Sequence, residues 1–375
     1  MMHNILILGG YGNTGRPIAE LLLQETNCRV VLAGRNRKKA EAAVSELNDR
    51  FAGDRTTAAV VDAADVVSLN KAMTGVDLVV VASSTAAYVE QVATAALDAG
   101  IDYCDMQYST AKLAVLQGMA ARIQAKGRCF ITDGGFHPGL PAVLVRGIAP
   151  RFDRLDSARV GSVIKIDWRG LEFSPATVEE MVTEFLDFKM LAFEEGEWRQ
   201  TSWWSMWKPL TMDFGEPFGK QYCVPMFLEE MRSLPERYPT LHDTGFFVGG
   251  FNWFVDWVVM PVGLPLLKLS PRRMTQPVGR LMEWGLKRFS KPPYEALLKL
   301  EAEGMRAGER QRIDLILSHP DGYLFTAIPV VACLLQYLDG SARRSGLWLQ
   351  AHFVEPERML ADMARLGVGV RLSGQ

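Results

Sequence analysis

The chain has 375 residues but only five Cys and five His, all widely scattered, with the cysteines at 28, 104, 129, 223 and 333. No Cys-x-x-Cys pair occurs, so neither a zinc site nor a disulfide framework is expected, and a reducing cytoplasm fits best. Net charge is nearly absent: 41 Lys+Arg against 43 Asp+Glu leave −2, which argues against a polybasic nucleic-acid binder. The first apolar run, Ile5-Leu6-Ile7-Leu8, stops at glycines after four residues, too short for the core of a secretory signal. No Ser-His-Asp elbow, P-loop lysine or H-E-x-x-H motif is present, so hydrolysis and phosphoryl transfer have no support. Tryptophan is missing from residues 1–150, whereas all nine Trp follow, from Trp168 to Trp348. The halves therefore read as different domains, each long enough to bury a core.

What is there begins with a nucleotide signature. Ile5 to Leu8 has the aliphatic texture of a parallel strand buried on both faces. It runs into Gly9-Gly10-Tyr11-Gly12-Asn13-Thr14-Gly15 and then into a helical stretch from Arg16 to Leu23. Gly10, Gly12 and Gly15 have the G-x-G-x-x-G spacing: the first for the tight turn, the second for backbone approach to a pyrophosphate, the third for close helix–strand packing. Asn13 and Thr14 stand at the helix start, where free N–H groups face phosphate. A second strand at Arg29 to Ala33 supplies the context the motif requires; a purely structural glycine turn is the alternative.

The end of that second strand selects the nucleotide. An NAD site usually places an acid there, but this chain reads Ala33-Gly34-Arg35-Asn36-Arg37-Lys38-Lys39, with no acid until Glu41. Guanidinium groups pair with a 2′-phosphate, so NADP(H) is expected, read by Arg35 with Arg37 or Lys38 in support; a solvated basic helix start is the bland alternative. Further strands at Ala58 to Val61 and Leu78 to Ala82 end in Asp62-Ala63 and Ser83-Ser84-Thr85. A doubly wound sheet would place Asp62 and Ala63 beside the adenine and Ser83 and Ser84 along the ribose and nicotinamide, although Ser84 and Thr85 also suit a helix cap.

The fold class read from this pattern is α/β, an N-terminal Rossmann sheet followed by a second α+β domain. After the helix Tyr88 to Ala99 come Tyr103-Cys104-Asp105, the strand Cys129 to Thr132 and the turn Gly135-Phe136-His137-Pro138-Gly139. With the Gly-Gly-Tyr-Gly-x-x-Gly opening, these segments make residues 4–147 resemble the saccharopine dehydrogenase-like oxidoreductases. The resemblance recurs faintly at Gly346-Leu347-Trp348 and Val354-Glu355-Pro356-Glu357. It implies NAD(P)(H) use, a Rossmann domain completed by the C-terminal segment, and a second domain that often forms a homodimer. Domains are accordingly expected at 1–150, 151–340 and 341–375, the last returning to the first. This chain has Gln107-Tyr108-Ser109 where many relatives have Gly-Glu, and the middle of the chain lacks a recognisable cation cluster. An amino-dicarboxylic acid would need such a cluster, so saccharopine itself is not the expected substrate.

Beyond Pro150, strands are expected at Arg159 to Trp168, Lys220 to Phe227 and Arg310 to Ser318. Helices are expected at Thr177 to Phe193, with a Thr177/Glu180 capping box, at Pro277 to Phe289, and at Tyr323 to Leu338. Trp198, Trp203, Trp204 and Trp207 suit a core or interface, or else an apolar pocket. Residues 246–291 stand out. Phe246 to Leu267 is the most hydrophobic stretch, interrupted by Asn252, Asp256, Pro261 and Pro265, which excludes a simple spanning helix. Lys268 to Lys291 then holds seven basic residues and one acid, a local +6. If helical, it sets Met274, Val278, Leu281, Met282 and Phe289 on one stripe and Arg273, Arg280 and Lys287 on another. That pattern suits either a partly buried domain helix or peripheral contact with an anionic membrane, with nucleic acid the weakest reading.

For chemistry, hydride transfer needs a proton donor or acceptor beside the reacting atom. His137, Tyr108 and Asp105, each following a strand on the cofactor side, are the candidates; each also has a structural reading, as turn residue, wall or cap. The leading expectation is an NADP(H)-dependent oxidoreductase acting on an apolar or mixed small molecule. Its rivals are reductive amination of an amino acid semialdehyde, and a catalytically idle NADP-binding protein that docks on a membrane or partner.

Overall fold

The computed structural model describes residues 2–170, 182, 189–201 and 210–374. The chain folds into two compact units: Met1–Leu140 with Tyr323–Leu366, and Pro141–Gly322 with Gly367–Gln375.

The first unit is a seven-stranded parallel sheet. Its strands are β1 (Asn4–Leu8), β2 (Arg29–Gly34), β3 (Thr56–Val60), β4 (Leu78–Val81), β5 (Asp102–Asp105), β6 (Cys129–Thr132) and a last strand, Gly346–Leu349. The order across the sheet is Gly346–Leu349, β6, β5, β4, β1, β2, β3. Helices α1 (Gly15–Glu25), α2 (Arg37–Arg50), α3 (Val66–Met73), α4 (Val89–Ala99) and α5 (Thr110–Ala125) make the crossovers. Ile5, Leu6, Ile7, Leu8 and all of Leu78–Val81 are buried because helices cover both faces, which is why these strands read as unbroken aliphatic runs. The strand order reverses between β1 and β4, and β1 pairs with both β2 and β4 up to its last residue: Leu8 lies opposite Ala33 of β2 and Val81 of β4. The loops after β1, β2 and β4 therefore emerge at one level, at the point where doubly wound sheets bind ligands.

The helix Gly322–Leu338 belongs to this unit almost entirely, whereas its position in the chain had grouped it with residues 151–340. Its long-range polar contacts explain the placement. Tyr337 donates its hydroxyl to the buried Asp102 carboxylate at 2.7 Å, and Arg343 pairs with the same oxygen at 2.8 Å. Composition cannot show such contacts. The strand Gly346–Leu349 pairs with β6, and Glu355 caps the helix Pro356–Arg365 by accepting from Glu357 and Arg358 N–H groups.

The second unit is built on a mixed sheet ordered Leu210–Asp213, Lys220–Pro225, Asp243–Gly249, Arg154–Lys165, Glu295–Arg306, Glu309–His319, Gly369–Gly374. Only the pair Asp243–Gly249 with Arg154–Lys165 is parallel along this path. The last nine residues thus lie in this unit rather than with the rest of the C-terminal segment. Leu191–Glu194 is a strand, which ends the expected helix before Phe193; within its remainder Val182 is helical and buried, whereas residues 177–181 and 183–188, with Trp203, Trp204 and Trp207, lie outside the described residues. The basic helix spans Pro271–Phe289 and buries Val278 and Met282, but Leu281 is turned to solvent. Among the described residues, no helix is long and apolar enough to cross a membrane.

Candidate dinucleotide site

The glycine loop is shaped by contacts that leave no room for side chains at two of its three motif positions. A Cβ on Gly15 would lie 2.3 Å from the Gly9 carbonyl oxygen, and one on Gly10 would lie 2.9 Å from both the Ile7 oxygen and Leu32 Cδ2. Gly12 differs: its Cβ would meet only the Gly9 oxygen, at 3.1 Å, so the fold itself barely requires glycine there. Gly9 has φ +85°, and a Cβ there would strike Ala82 and Ser83 at 2.8 Å, which brings the loop after β4 against the loop after β1. Thr14 precedes α1 without a side-chain cap, and no acid occupies the helix's first turn. Arg16 N–H is bonded to the Gly12 oxygen and Pro17 has no N–H, so it is the uncapped positive dipole end of α1 that is left for an anion.

Tyr11, which the motif spacing does not single out, organises the next strand end. Its ring lies over Gly34, where a Cβ would come within 2.5 Å of the hydroxyl, and its hydroxyl oxygen accepts from Asn36 N–H at 2.8 Å. Asn36 in turn caps α2 by accepting from Lys39 N–H. Between them Arg35 is exposed, and among the described residues its guanidinium makes no ion pair or side-chain hydrogen bond. Arg37 is also exposed but lies 3.6 Å from Glu41. Asp62 is exposed, with its carboxylate accepting from Ala64 N–H in a tight turn, and Ala63 is buried beneath it. Ser83 is half-buried with its hydroxyl 3.1 Å from that of Thr85; Ser84 is exposed. Thr85 makes no side-chain cap to the short turn Ala86–Tyr88 that precedes α4.

The three candidates for proton transfer separate. Asp105 is fully buried, and its carboxylate accepts from Lys112 Nζ at 2.5 Å, from the Thr132 hydroxyl at 2.9 and 3.0 Å, and from Asp133 N–H at 3.3 Å. Its geometry is that of a structural anchor joining β5, β6 and α5. Lys112 is as deeply buried and also reaches Asp133 at 2.8 Å. Burial works against its charge, but the two carboxylates win and raise its pKa. Sequence reasoning missed this triad; the only signal was a lysine seven residues after Asp105, one turn into a helix.

His137 follows β6 in a turn braced from the C-terminal segment. Gln350 accepts from Gly135 N–H at 3.2 Å and donates to the Gly135 oxygen at 3.0 Å. The imidazole lies against Phe136, with ring centres 4.0 Å apart, and burial pushes its pKa down to about 4. The ring is therefore neutral near pH 7, which removes the argument for proton exchange drawn from an unperturbed histidine. Tyr108 is half-buried in the four-residue loop between β5 and α5. All five cysteines are free and buried. Among the described residues, no group of three His, Cys, Asp or Glu is placed to hold a metal.

Residues 5–128 match the family described as saccharopine dehydrogenase NADP binding domain. No curated protein sequence matches the chain. Apo histidine-tagged saccharopine dehydrogenase (L-Glu forming) from Saccharomyces cerevisiae shares the fold over 100% of both chains, with a TM-score of 0.71 at 13% identity. DAP dehydrogenase from C. glutamicum, in complex with DAP, covers 97% of this chain and 98% of its own at a TM-score of 0.45 and 14% identity. Residues 5–128 thus match a saccharopine dehydrogenase NADP binding domain, and the chain shares its fold with a saccharopine dehydrogenase along its full length.

Proposed function

We propose that the protein is an NADP(H)-dependent oxidoreductase acting on an apolar or mixed small molecule. Arg35 carries the cofactor half of this reading. It is an exposed guanidinium without an intramolecular partner among the described residues, at the strand end where an NAD site would present a carboxylate. Arg37 supports it, and the close packing at Gly15 sets the uncapped end of α1 over the loop where a pyrophosphate would lie. When bound, NADPH supplies a hydride at the nicotinamide C4. The chain's own part is to orient that ring and provide a proton for the heteroatom beside the reduced carbon, so that hydride and proton together complete a two-electron, two-proton reduction. In this reading Tyr108 is the proton donor, since a neutral His137 has no proton to give as an imidazolium and acts through hydrogen bonding.

The substrate half rests on the loops after β4, β5 and β6. Residues 82–88, 106–109 and 133–140 contain no Arg or Lys, and the neighbouring Lys112 is committed to Asp105 and Asp133. A dicarboxylic amino acid would find no cation there to hold it.

The test is to titrate NADPH and NADH into the wild type and Arg35→Ala. Losing a charge-assisted contact worth about 1.5–3 kcal/mol weakens NADPH roughly 10- to 100-fold, with NADH unchanged. Unchanged NADPH affinity would refute the cofactor assignment. Oxidation of NADPH is then followed against apolar aldehydes, ketones and enones beside oxo-dicarboxylic acids. Turnover of the dicarboxylic acids alone would sink the substrate half, and turnover of none would favour the idle NADP-binding alternative.

A further inference from the structure

The helical hairpin at 253–289 in the second unit leaves an unusual surface. Its first arm, the π-helical turn Val255–Val259 continuing into the helix Met260–Leu269, is apolar except for Asp256 and Lys268. Val255, Val259, Gly263 and Leu267 form the inner stripe, buried with Val278, Met282 and Leu286 of the second arm. The arms approach closely: a Cβ on Gly263 would lie 2.8 Å from Val278, and one on Gly285 would lie 2.6 Å from Phe254. The outer side has no such cover among the described residues. Trp253 (59% exposed), Trp257 (56%), Val262 (58%) and Leu269 (83%) recur at helical spacing, with Val258 and Leu266 between them. The second arm extends the patch with Trp284, 51% exposed, whose ring lies 5.2 Å from that of Phe254. The only acid of the first arm, Asp256, does not interrupt it, because its carboxylate turns back to accept from Phe251 N–H.

Around this patch the exposed charges share one sign: Lys268, Arg273, Arg280, Arg288 and Lys291. The one acid of the segment, Glu283, is paired with Lys287 at 2.8 Å. Apolar patches of this kind on a folded surface mark a docking site, and tryptophan beside Lys and Arg is the composition that settles at a lipid–water boundary. A second copy of the chain fits less well, since a two-fold contact through this face would set like charges against one another.

We infer that the hairpin 253–291 docks the protein on an anionic lipid surface, lying in the plane of the interface with Trp253, Trp257, Val262, Leu269 and Trp284 inserted and the cations at the headgroups. It is independent of the identity of the substrate.

Co-sedimentation with vesicles of phosphatidylcholine mixed with phosphatidylglycerol, beside pure phosphatidylcholine, tests this. Wild type is expected to pellet with the anionic vesicles, less so at high salt, with a blue shift of tryptophan emission. The triple variant Arg273→Ala/Arg280→Ala/Arg288→Ala should partition about a hundredfold more weakly, roughly fivefold per cation removed. Trp257→Glu/Leu269→Glu should abolish pelleting. All five side chains are exposed, and unchanged NADPH affinity and melting temperature confirm that the variants fold. The proposal is overturned if wild type ignores anionic vesicles, or if neither variant alters binding. It is equally overturned if sedimentation equilibrium shows a dimer that Leu269→Glu dissociates while vesicle binding persists.

Discussion

Lys112 and Arg35 are both cations of the first unit, yet burial divides their roles: one is locked between two carboxylates, and the other is exposed with no partner among the described residues. His137 makes the same point for a neutral group. Its imidazole titrates near 4 in the folded protein against 6.5 for an ordinary histidine, because the buried ring resists charging. Between those values the unfolded chain binds a proton that the folded chain does not. Stability present above pH 6.5 is therefore lost as pH falls from 6.5 to about 4. A shift of this size corresponds to roughly 3–3.5 kcal/mol. Urea midpoints of wild type and His137→Gln across this range should diverge, with the variant showing the shallower acid limb. An NMR titration placing the His137 inflection near 6.5 would show the premise to be wrong.

At the scale of elements, the glycine loop separates what the fold needs from what the cofactor needs. Gly15→Ala drives a methyl into the Gly9 carbonyl, and overpacking of this kind costs roughly 1–3 kcal/mol. It should lower the melting temperature and NADPH affinity together. Gly12→Ala meets only one atom of the protein, at 3.1 Å, so its melting temperature should stay near that of wild type while NADPH binding falls at least tenfold. If Gly12→Ala binds NADPH normally, the pyrophosphate does not approach that backbone. This loop was legible in the sequence because its parts are local: strand, glycines and helix follow within twenty residues, as do the cations after β2. Tyr11 over Gly34, the Asp105–Lys112–Asp133 triad and the clamp of Gln350 on Gly135 were not legible, because each joins segments that only the sheet order brings together. The hairpin was half legible. Its composition pointed to the apolar and basic character of 246–291, but helical phase put Leu281 on one apolar stripe with Val278 and Met282, and the structure buries those two and exposes Leu281.

For the whole molecule, the chain leaves the first unit at Leu140 and re-enters it at Tyr323. The returning segment is part of the core rather than an appendage. It supplies the strand beside β6, two of the partners of buried Asp102, and both hydrogen bonds that fix Gly135. Residues 1–140 alone would leave Asp102 without its cation and β6 as an open edge, and a buried charge deprived of its partner costs about 3–5 kcal/mol. That loss is a large share of the stability of a domain this size. The two crossing points lie near each other within the unit, since Phe136 stacks on Phe325 with ring centres 4.7 Å apart and Gly135 abuts Thr326. A short Gly/Ser linker can therefore join residues 1–140 to 323–366 without rerouting the chain. The joined protein should unfold cooperatively and bind NADPH within a few-fold of the full chain, whereas residues 1–140 alone should show neither property. Calorimetry and cofactor titration on the two fragments decide it: binding by residues 1–140 alone would mean that the C-terminal return is dispensable, and failure of the joined form would mean that the nucleotide site draws on residues 141–322.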